Sequence, residues 1–162
     1  MASRNSCATR LRPMPRADLW TCADCGRQFA NRNQPHSCRS CTVDEFLAGQ
    51  TDHARALFSS FTEAALSCGA VTFAPALTRV GLQARMIFAS VNRLSAERLD
   101  AHVVLSRRLQ HPRFYKIESI SPRNHVHHFR IHHVSEVDAD VRAWLKEAYE
   151  VGEQKHYRGR SQ

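Results

Sequence analysis

The chain has 162 residues, 43% of them hydrophobic, with 23 Lys and Arg against 15 Asp and Glu and a formal charge of +8. That length holds one domain of ordinary size and a small appendage, and excludes two full domains. No apolar run is long enough to cross a bilayer and residues 1–20 lack the apolar stretch of a secretory signal, so a soluble cytoplasmic protein without a membrane partner is expected.

Residues 1–17 read as a disordered basic tail. The segment is Arg-rich with no acid before Asp18, as in a transit peptide, but Pro13 and Pro15 and the lack of an apolar face argue against a targeting helix. Residues 1–41 carry seven Arg against Asp18 and Asp24, a charge of +5, and the other 121 residues add only +3. A basic segment so placed suits a polyanion such as nucleic acid or a phosphorylated ligand. Twenty Arg against three Lys is also what a GC-rich genome writes, with the tail merely solvated.

Residues 18–41 form a zinc knuckle. Cys22-x2-Cys25 and Cys38-x2-Cys41 are twelve residues apart. A CxxC turn brings two thiolates to one side of a metal, and a second pair closes a tetrahedron. Four of the six cysteines lie in this window, which in a reducing compartment points to metal rather than disulfides. Cys7 falls in the tail, and Cys68 ends a helix where a small buried hydrophobe is expected. His36, two residues before Cys38, competes with Cys41 for the fourth position, and spacing alone favours Cys41. Four protein ligands leave no open position, so the zinc would be structural. Gly26 suits a left-handed turn, Trp20 and Phe29 supply a small core, and Arg27, Arg32 and Arg39 are candidates for phosphate contact.

Residues 42–152 read as an α+β domain. Thr42-x-x-Glu45 is a capping box that opens a short helix ending at Gly49. A second helix starts after Thr51, with Ala54, Leu57, Phe58, Phe61, Ala65 and Cys68 on one stripe and Gly69 as its stop. The period then changes. Segments 71–73, 78–84, 86–91, 99–106, 114–120 and 125–133 are short, rich in Val, Ile, Phe and Leu, and bounded by turn residues, which predicts five or six antiparallel strands. Ser135, with Asp138 as the second box residue, is expected to cap a last helix carrying Val137, Val141, Trp144, Leu145, Ala148 and Val151 and ended by Gly152. Residues 153–162 read as a frayed polar tail. Helices flanking a run of strands predict both helices on one face of the sheet, with the other face open.

The chemistry of that open face depends on strand phase. Val80, Leu82, Leu99, Ala101, Val103, Leu105, Tyr115, Ile117, Phe129 and Ile131 read as core, with His127 beside them and His125 next on the same side. Arg79, Gln83, His102, Lys116, Glu118, His128, Arg130 and His132 then face outward, with Arg107, Arg108, Arg113 and Arg123 in the turns and Phe88 the one aromatic that could join them. Three readings stay open. The face is simply solvated, or it binds anions, with Arg79, Lys116, Arg130, His102 and His128 meeting phosphates. Otherwise it is the site of a small metal- or histidine-dependent hydrolase or nuclease, which requires at least two of His102, His125, His127, His128 and His132 to converge with a carboxylate. No Ser-His-Asp, HExxH, Walker or GxGxxG pattern is present. A protein-interaction module would instead need an exposed apolar patch. Loss of zinc is expected to unfold the knuckle and leave most of the sheet domain intact.

The stretches LWTCADCGRQFANRNQPHSC at 19–38, RMIFASV at 85–91, LDAHVVLSRRLQHPRFYKIESISPRNHVHHFRI at 99–131 and WLKEAYEVGEQ at 144–154 carry a resemblance. From Leu19 to His156 the chain resembles bacterial proteins with domain of unknown function 5655. The resemblance implies no activity. It implies that equivalents of Cys22, Cys25, His36 and Cys38 are kept while that of Cys41 is often missing, which moves the fourth ligand toward His36. At the level of fold alone, the domain is similar to small frataxin-like α-β-α proteins.

Overall fold

The computed structural model describes residues 19–38 and 41–158. The basic tail, Cys7 and Arg39 lie outside the described residues. Two short strands, β1 (Trp20–Thr21) and β2 (Gln28–Phe29), pair as a small hairpin. Helices α1 (Val43–Leu47) and α2 (Asp52–Leu66) follow, then six strands: β3 (Thr72–Pro75), β4 (Val80–Gln83), β5 (Ile87–Leu94), β6 (Leu99–Leu105), β7 (Lys116–Ser121) and β8 (Asn124–Ile131). A 3₁₀ turn at Val134–Glu136 leads to α3 (Ala139–Gly152) and α4 (Lys155–Arg158). The six strands form one antiparallel sheet in the order β3-β4-β5-β6-β8-β7.

Local chemistry accounts for most helix boundaries. The Thr42 hydroxyl accepts from the Glu45 N–H at 3.1 Å and the Glu45 carboxylate accepts from the Thr42 N–H at 2.8 Å, so the capping box is complete. Thr51 caps α2 through the Ala54 N–H. The last helix starts later than its sequence implies. Asp138, not Ser135, is the cap, accepting from the Val141 N–H, because residues 134–136 are taken up in the 3₁₀ turn. Its end differs too: Gly152 is the last helical residue, and Gln154, at φ 60, holds the left-handed position. Residues 155–158, expected to fray, add another helical turn.

Gly152 has a packing role instead. A Cβ there would stand 2.8 Å from the Phe88 Cβ, and its carbonyl accepts from the N–H groups of Arg85 and Met86. Helix and sheet therefore meet backbone to backbone at this point.

The core lies between the sheet and helices α2 and α3. Leu99, Ala101, Val103 and Leu105 of β6, Val80 and Leu82 of β4, and Phe129 and Ile131 of β8 point inward and are fully buried. They meet Leu57 and Phe61 of α2 and Val141, Leu145 and Ala148 of α3. Phe61 and Trp144 each pack edge-on against Phe129, and Trp144 also packs against Phe114. Each large side chain buried this way contributes about 1.5–3 kcal/mol over its exposed state.

Phase fails at two residues. Phe88 is fully buried, packed on Tyr149, and does not join the open face. Gln83 pairs with Ile87 and Leu82 with Ala89, so Phe88 is the extra residue of a β-bulge, and alternation is lost there. Tyr115, read as core, precedes β7 and lies 49% exposed on the open side.

Substitution of Gly152 by Ala should destabilise the fold by about 1–3 kcal/mol through overpacking against Phe88, read as a lowered midpoint of urea unfolding with an unchanged slope.

Candidate functional site

The hairpin β1–β2 organises a cluster of soft ligands. The Cys22 N–H donates to the Arg27 carbonyl and the Gly26 N–H to the Cys22 carbonyl, both at 2.9 Å, with Gly26 at φ 69. That turn sets Cys22 and Cys25 side by side. Cys22, Cys25, His36 and Cys38 bring one ligand atom each to within 4.8 Å of one another. The Cys22 and Cys38 sulfurs are 3.8 Å apart, and the His36 Nε2 is 3.3 Å from the Cys25 sulfur and 3.4 Å from that of Cys38. A tetrahedral thiolate–imidazole centre has edges of about 3.8 Å between sulfurs and about 3.5 Å from sulfur to nitrogen. The His36 Nδ1–H donates to the Gln34 carbonyl at 2.7 Å, which leaves the Nε2 lone pair facing the thiols. Of the two candidates for the fourth place the group contains His36, and Cys41 stands outside it.

The donor set has the chemistry of a cation site. The N–H groups of Cys25 and Asp24 lower the Cys22 thiol, and the backbone N–H of Arg27, then its side chain, hold Cys25 at about 6. Hydrogen bonding to Cys22 pushes Cys38 up to about 11. Three sulfurs this close cannot all be anionic without a cation between them, so these residues can hold a metal ion.

The knuckle sits over one end of the open face. Gln83 is not outward in solvent, as its phase implied, but 6% exposed beneath the hairpin, where its side-chain N–H donates to the Gln28 carbonyl at 2.6 Å. Between knuckle and sheet runs a groove of about 730 Å³, walled by Phe29, Pro35 and Cys41 on one side and Leu77 and Arg79 on the other, with Gly81, Ile87, Ser90 and His102 as its floor. Arg79 and His102 also border a second hollow of about 570 Å³ that continues across the face to Tyr115, Lys116, Glu118 and His128. Arg79 and His102 are common to both hollows, which together make up the cleft of the open face.

Within it, His102 and His128 meet with their rings 5.4 Å apart. The His102 Nδ1–H donates to the Asn92 side-chain oxygen at 3.0 Å. Burial, then the neighbouring His128 and Arg79, bring the imidazole down to about 4, so it is neutral near pH 7. The His128 Nε2–H donates to Glu118 at 2.7 Å, and Lys116 pairs with the other oxygen of the same carboxylate at 2.8 Å. Hydrogen bonds from Lys116 and His128 hold that carboxyl below its usual range. The Arg130 guanidinium lies 4.3 Å over the Tyr115 ring, and Arg130 and Arg98 share Asp100.

The convergence required of a histidine site is therefore met by His102, His128 and Glu118. The other histidines do not join it. His127 is fully buried on the core side, its Nδ1–H donating to the His125 carbonyl and its Nε2 accepting from the Leu109 N–H. His125 bonds Ser119 and the Pro122 carbonyl, and His132 lies past the end of β8. The turn arginines are also engaged: Arg107 with Glu147, Arg113 with Asp138, Arg108 with the Ile117 carbonyl and Arg123 with the His156 carbonyl. Arg27 donates to the Ser37 carbonyl. By contrast Arg32, on the knuckle, and Arg79 and Arg93, in the cleft, stand exposed with no ion-pair partner among the described residues. Arg93 escaped the sequence reading. A second bulge makes Asn92 an extra residue between Val91 and Arg93, so both Asn92 and Arg93 line the hollow.

Fold and site define a class: an α+β protein with a half-covered antiparallel sheet and, ahead of it, a Cys₃His group that could hold a metal ion. The chain belongs to the family described as domain of unknown function (DUF5655), whose model matches residues 43–152. The match begins at Val43, so it takes in the sheet domain and not the knuckle from Leu19 on that the resemblance had included. No curated protein and no solved structure matches the chain. No helix among the described residues is long and apolar enough to cross a membrane.

Two outcomes follow. Metal content of the purified protein, read by mass spectrometry, should be one ion per chain, unchanged in Cys41→Ser and lost in His36→Ala. Because His102 is held neutral, its folded form binds a proton less readily than the unfolded chain. Its contribution to stability is complete above about pH 6.5 and is lost as pH falls toward 4. Between pH 7 and 4 the protein should lose about 2–3 kcal/mol more than its His102→Gln variant, read from urea unfolding at each pH.

Proposed function

We propose that this chain is a zinc-containing, non-catalytic binding module that holds a polyanion, nucleic acid, in the cleft of its open sheet face. The observation that carries the reading is the pair of unengaged guanidinium groups, Arg79 and Arg93, in a cleft where most other arginines are committed elsewhere. A guanidinium held at a concave surface without a carboxylate partner is suited to a phosphate. Arg130, flat on Tyr115, and Arg32 of the knuckle extend the basic surface, and Arg39, outside the described residues, is kept as a candidate from its place in the sequence. Lys116, His102 and His128 border it, and Arg27 serves mainly to fix the knuckle. Three cysteines and a histidine with ligand atoms within 4.8 Å of one another favour zinc over harder divalent ions, and four protein ligands would make it structural. Its task is to fold the knuckle, which Gln83 then seats on the sheet.

A second reading, a small histidine-dependent hydrolase or nuclease, is favoured by one observation: the hydrogen-bonded Glu118–His128 pair beside neutral His102. Among the described residues no nucleophile hydrogen-bonds either histidine. The protein-interaction reading has less support, since the two most exposed large hydrophobics, Leu77 and Ile120, stand at opposite edges of the sheet.

Binding of the full chain to labelled oligonucleotides across a salt series tests the proposal. Affinity should fall steeply with salt, and Arg79→Ala should weaken binding and reduce the log–log slope by about one contact, near 0.9 on duplex or 0.7 on single strand. Chelation should abolish binding while the sheet domain keeps its circular dichroism. Absence of binding at low salt would sink it. The same mixtures run on a denaturing gel decide for the second reading if the strand is cut and His128→Ala stops the cutting.

A further inference from the structure

The cleft is not uniform along its length, and the difference bears on what kind of strand it takes. Its far half is charged: Arg93, Asp100, Lys116 and Glu118 lie in the hollow beyond His102. Its near half, under the knuckle, carries apolar side chains among polar ones such as Gln34, Thr78 and Ser90. Pro35 and Phe29 form the knuckle wall, Leu77 the hairpin wall and Ile87 the floor. Leu77 and Ile87 are large aliphatic side chains left 67% and 42% exposed, and both are exposed into this groove. Exposed apolar side chains facing each other across a concave slot call for an apolar or flat occupant. Gly81 keeps the floor open: a Cβ there would come within 3.1 Å of the Ile87 side chain. At the junction of the two halves stand Arg79, unengaged, and His102, whose Nδ1 is tied to Asn92 and whose Nε2 remains an acceptor.

We infer that the groove between the knuckle and the β3–β4 hairpin is a slot for an unpaired nucleobase, with the adjoining phosphates on Arg79 and Arg93, so that the ligand is single-stranded. The inference rests on the preceding reading and deepens it by naming the substrate class. A flat ring between Pro35, Leu77 and Ile87 leaves water, while its backbone continues over the guanidinium groups. Bases presented this way must be unstacked, which a single strand offers and a duplex does not. A volume of about 730 Å³ is ample for one nucleotide, within the range usual for small-ligand sites. One wall belongs to the metal knuckle, so the slot exists only while the knuckle is folded.

The test uses the full-length metal-loaded protein, a 12-nucleotide single strand and the duplex of the same sequence at one salt concentration. The single strand should bind at least tenfold tighter than the duplex. Gly81→Val, which fills the floor, and Leu77→Ser, which removes a wall from an exposed position without touching the core, should each cut single-strand affinity several-fold and leave duplex affinity unchanged. Ile120→Ser, as exposed but on the opposite edge of the sheet, should bind like the parent. If Gly81→Val fails to fold by circular dichroism, Leu77→Ser decides alone. Equal affinity for the two forms, or wild-type binding by the slot variants, overturns the slot while a steep salt dependence would leave the polyanion reading standing. Binding of neither form overturns both.

Discussion

A buried amide joins the two parts of the molecule. Gln83 extends from the end of β4 beneath the β1–β2 hairpin and donates to the Gln28 carbonyl at 2.6 Å. With the hairpin displaced, that carbonyl and that amide would each have to find other partners, and a buried polar group left unsatisfied costs about 1–3 kcal/mol. The contact therefore fixes where the knuckle sits. The knuckle's position in turn makes a groove out of what would be a flat sheet end, and places the metal ligands' loop in its wall. The groove beside the knuckle follows from this one seat, whereas the hollow farther across the face is built by the sheet itself.

The fold was largely legible because its signals are local. Capping boxes and helical stripes gave α1 and α2, and short apolar runs bounded by turn residues gave the strands, the central ones because one face of each is buried against the helices. The metal group was legible from two CxxC pairs, but the choice between His36 and Cys41 was not a matter of spacing. What brings His36 into the group is the Gln34 carbonyl, which holds its ring with Nε2 toward the thiols, and no residue count encodes that. The displaced start of α3 has the same character: Ser135 and Asp138 both look like caps, and the winner depends on a 3₁₀ turn closed by Glu136.

The candidate cleft was legible only where alternation held. His102, His128, Lys116 and Arg130 were placed on the open face by phase, and there they lie. Phe88, Tyr115, Gln83 and Arg93 were misplaced or missed because bulges and strand ends interrupt phase, and Gln83 because the covering element is remote in sequence. The histidine-rich run 125–133 was the most conspicuous feature of the chain, yet it divides by parity into a core residue with both ring nitrogens satisfied, His127, and a cleft residue paired to a carboxylate, His128. Density of one residue type along a strand is thus not density in space.

The two bulges in β5 have a consequence of their own. Each inserts a single residue, Phe88 and then Asn92, and each reverses which side of the sheet the following positions serve. The strand behaves like a message with two frameshifts: between them, Ser90 opens to the cleft and Val91 closes the core; after the second, Arg93 is delivered to the cleft and Leu94 to the core. What such a strand holds constant is the number of its residues rather than their kind. Side chains that line the cleft can therefore be exchanged without disturbing the core, but gaining or losing one position in β5 would exchange the inside of the molecule for its outside.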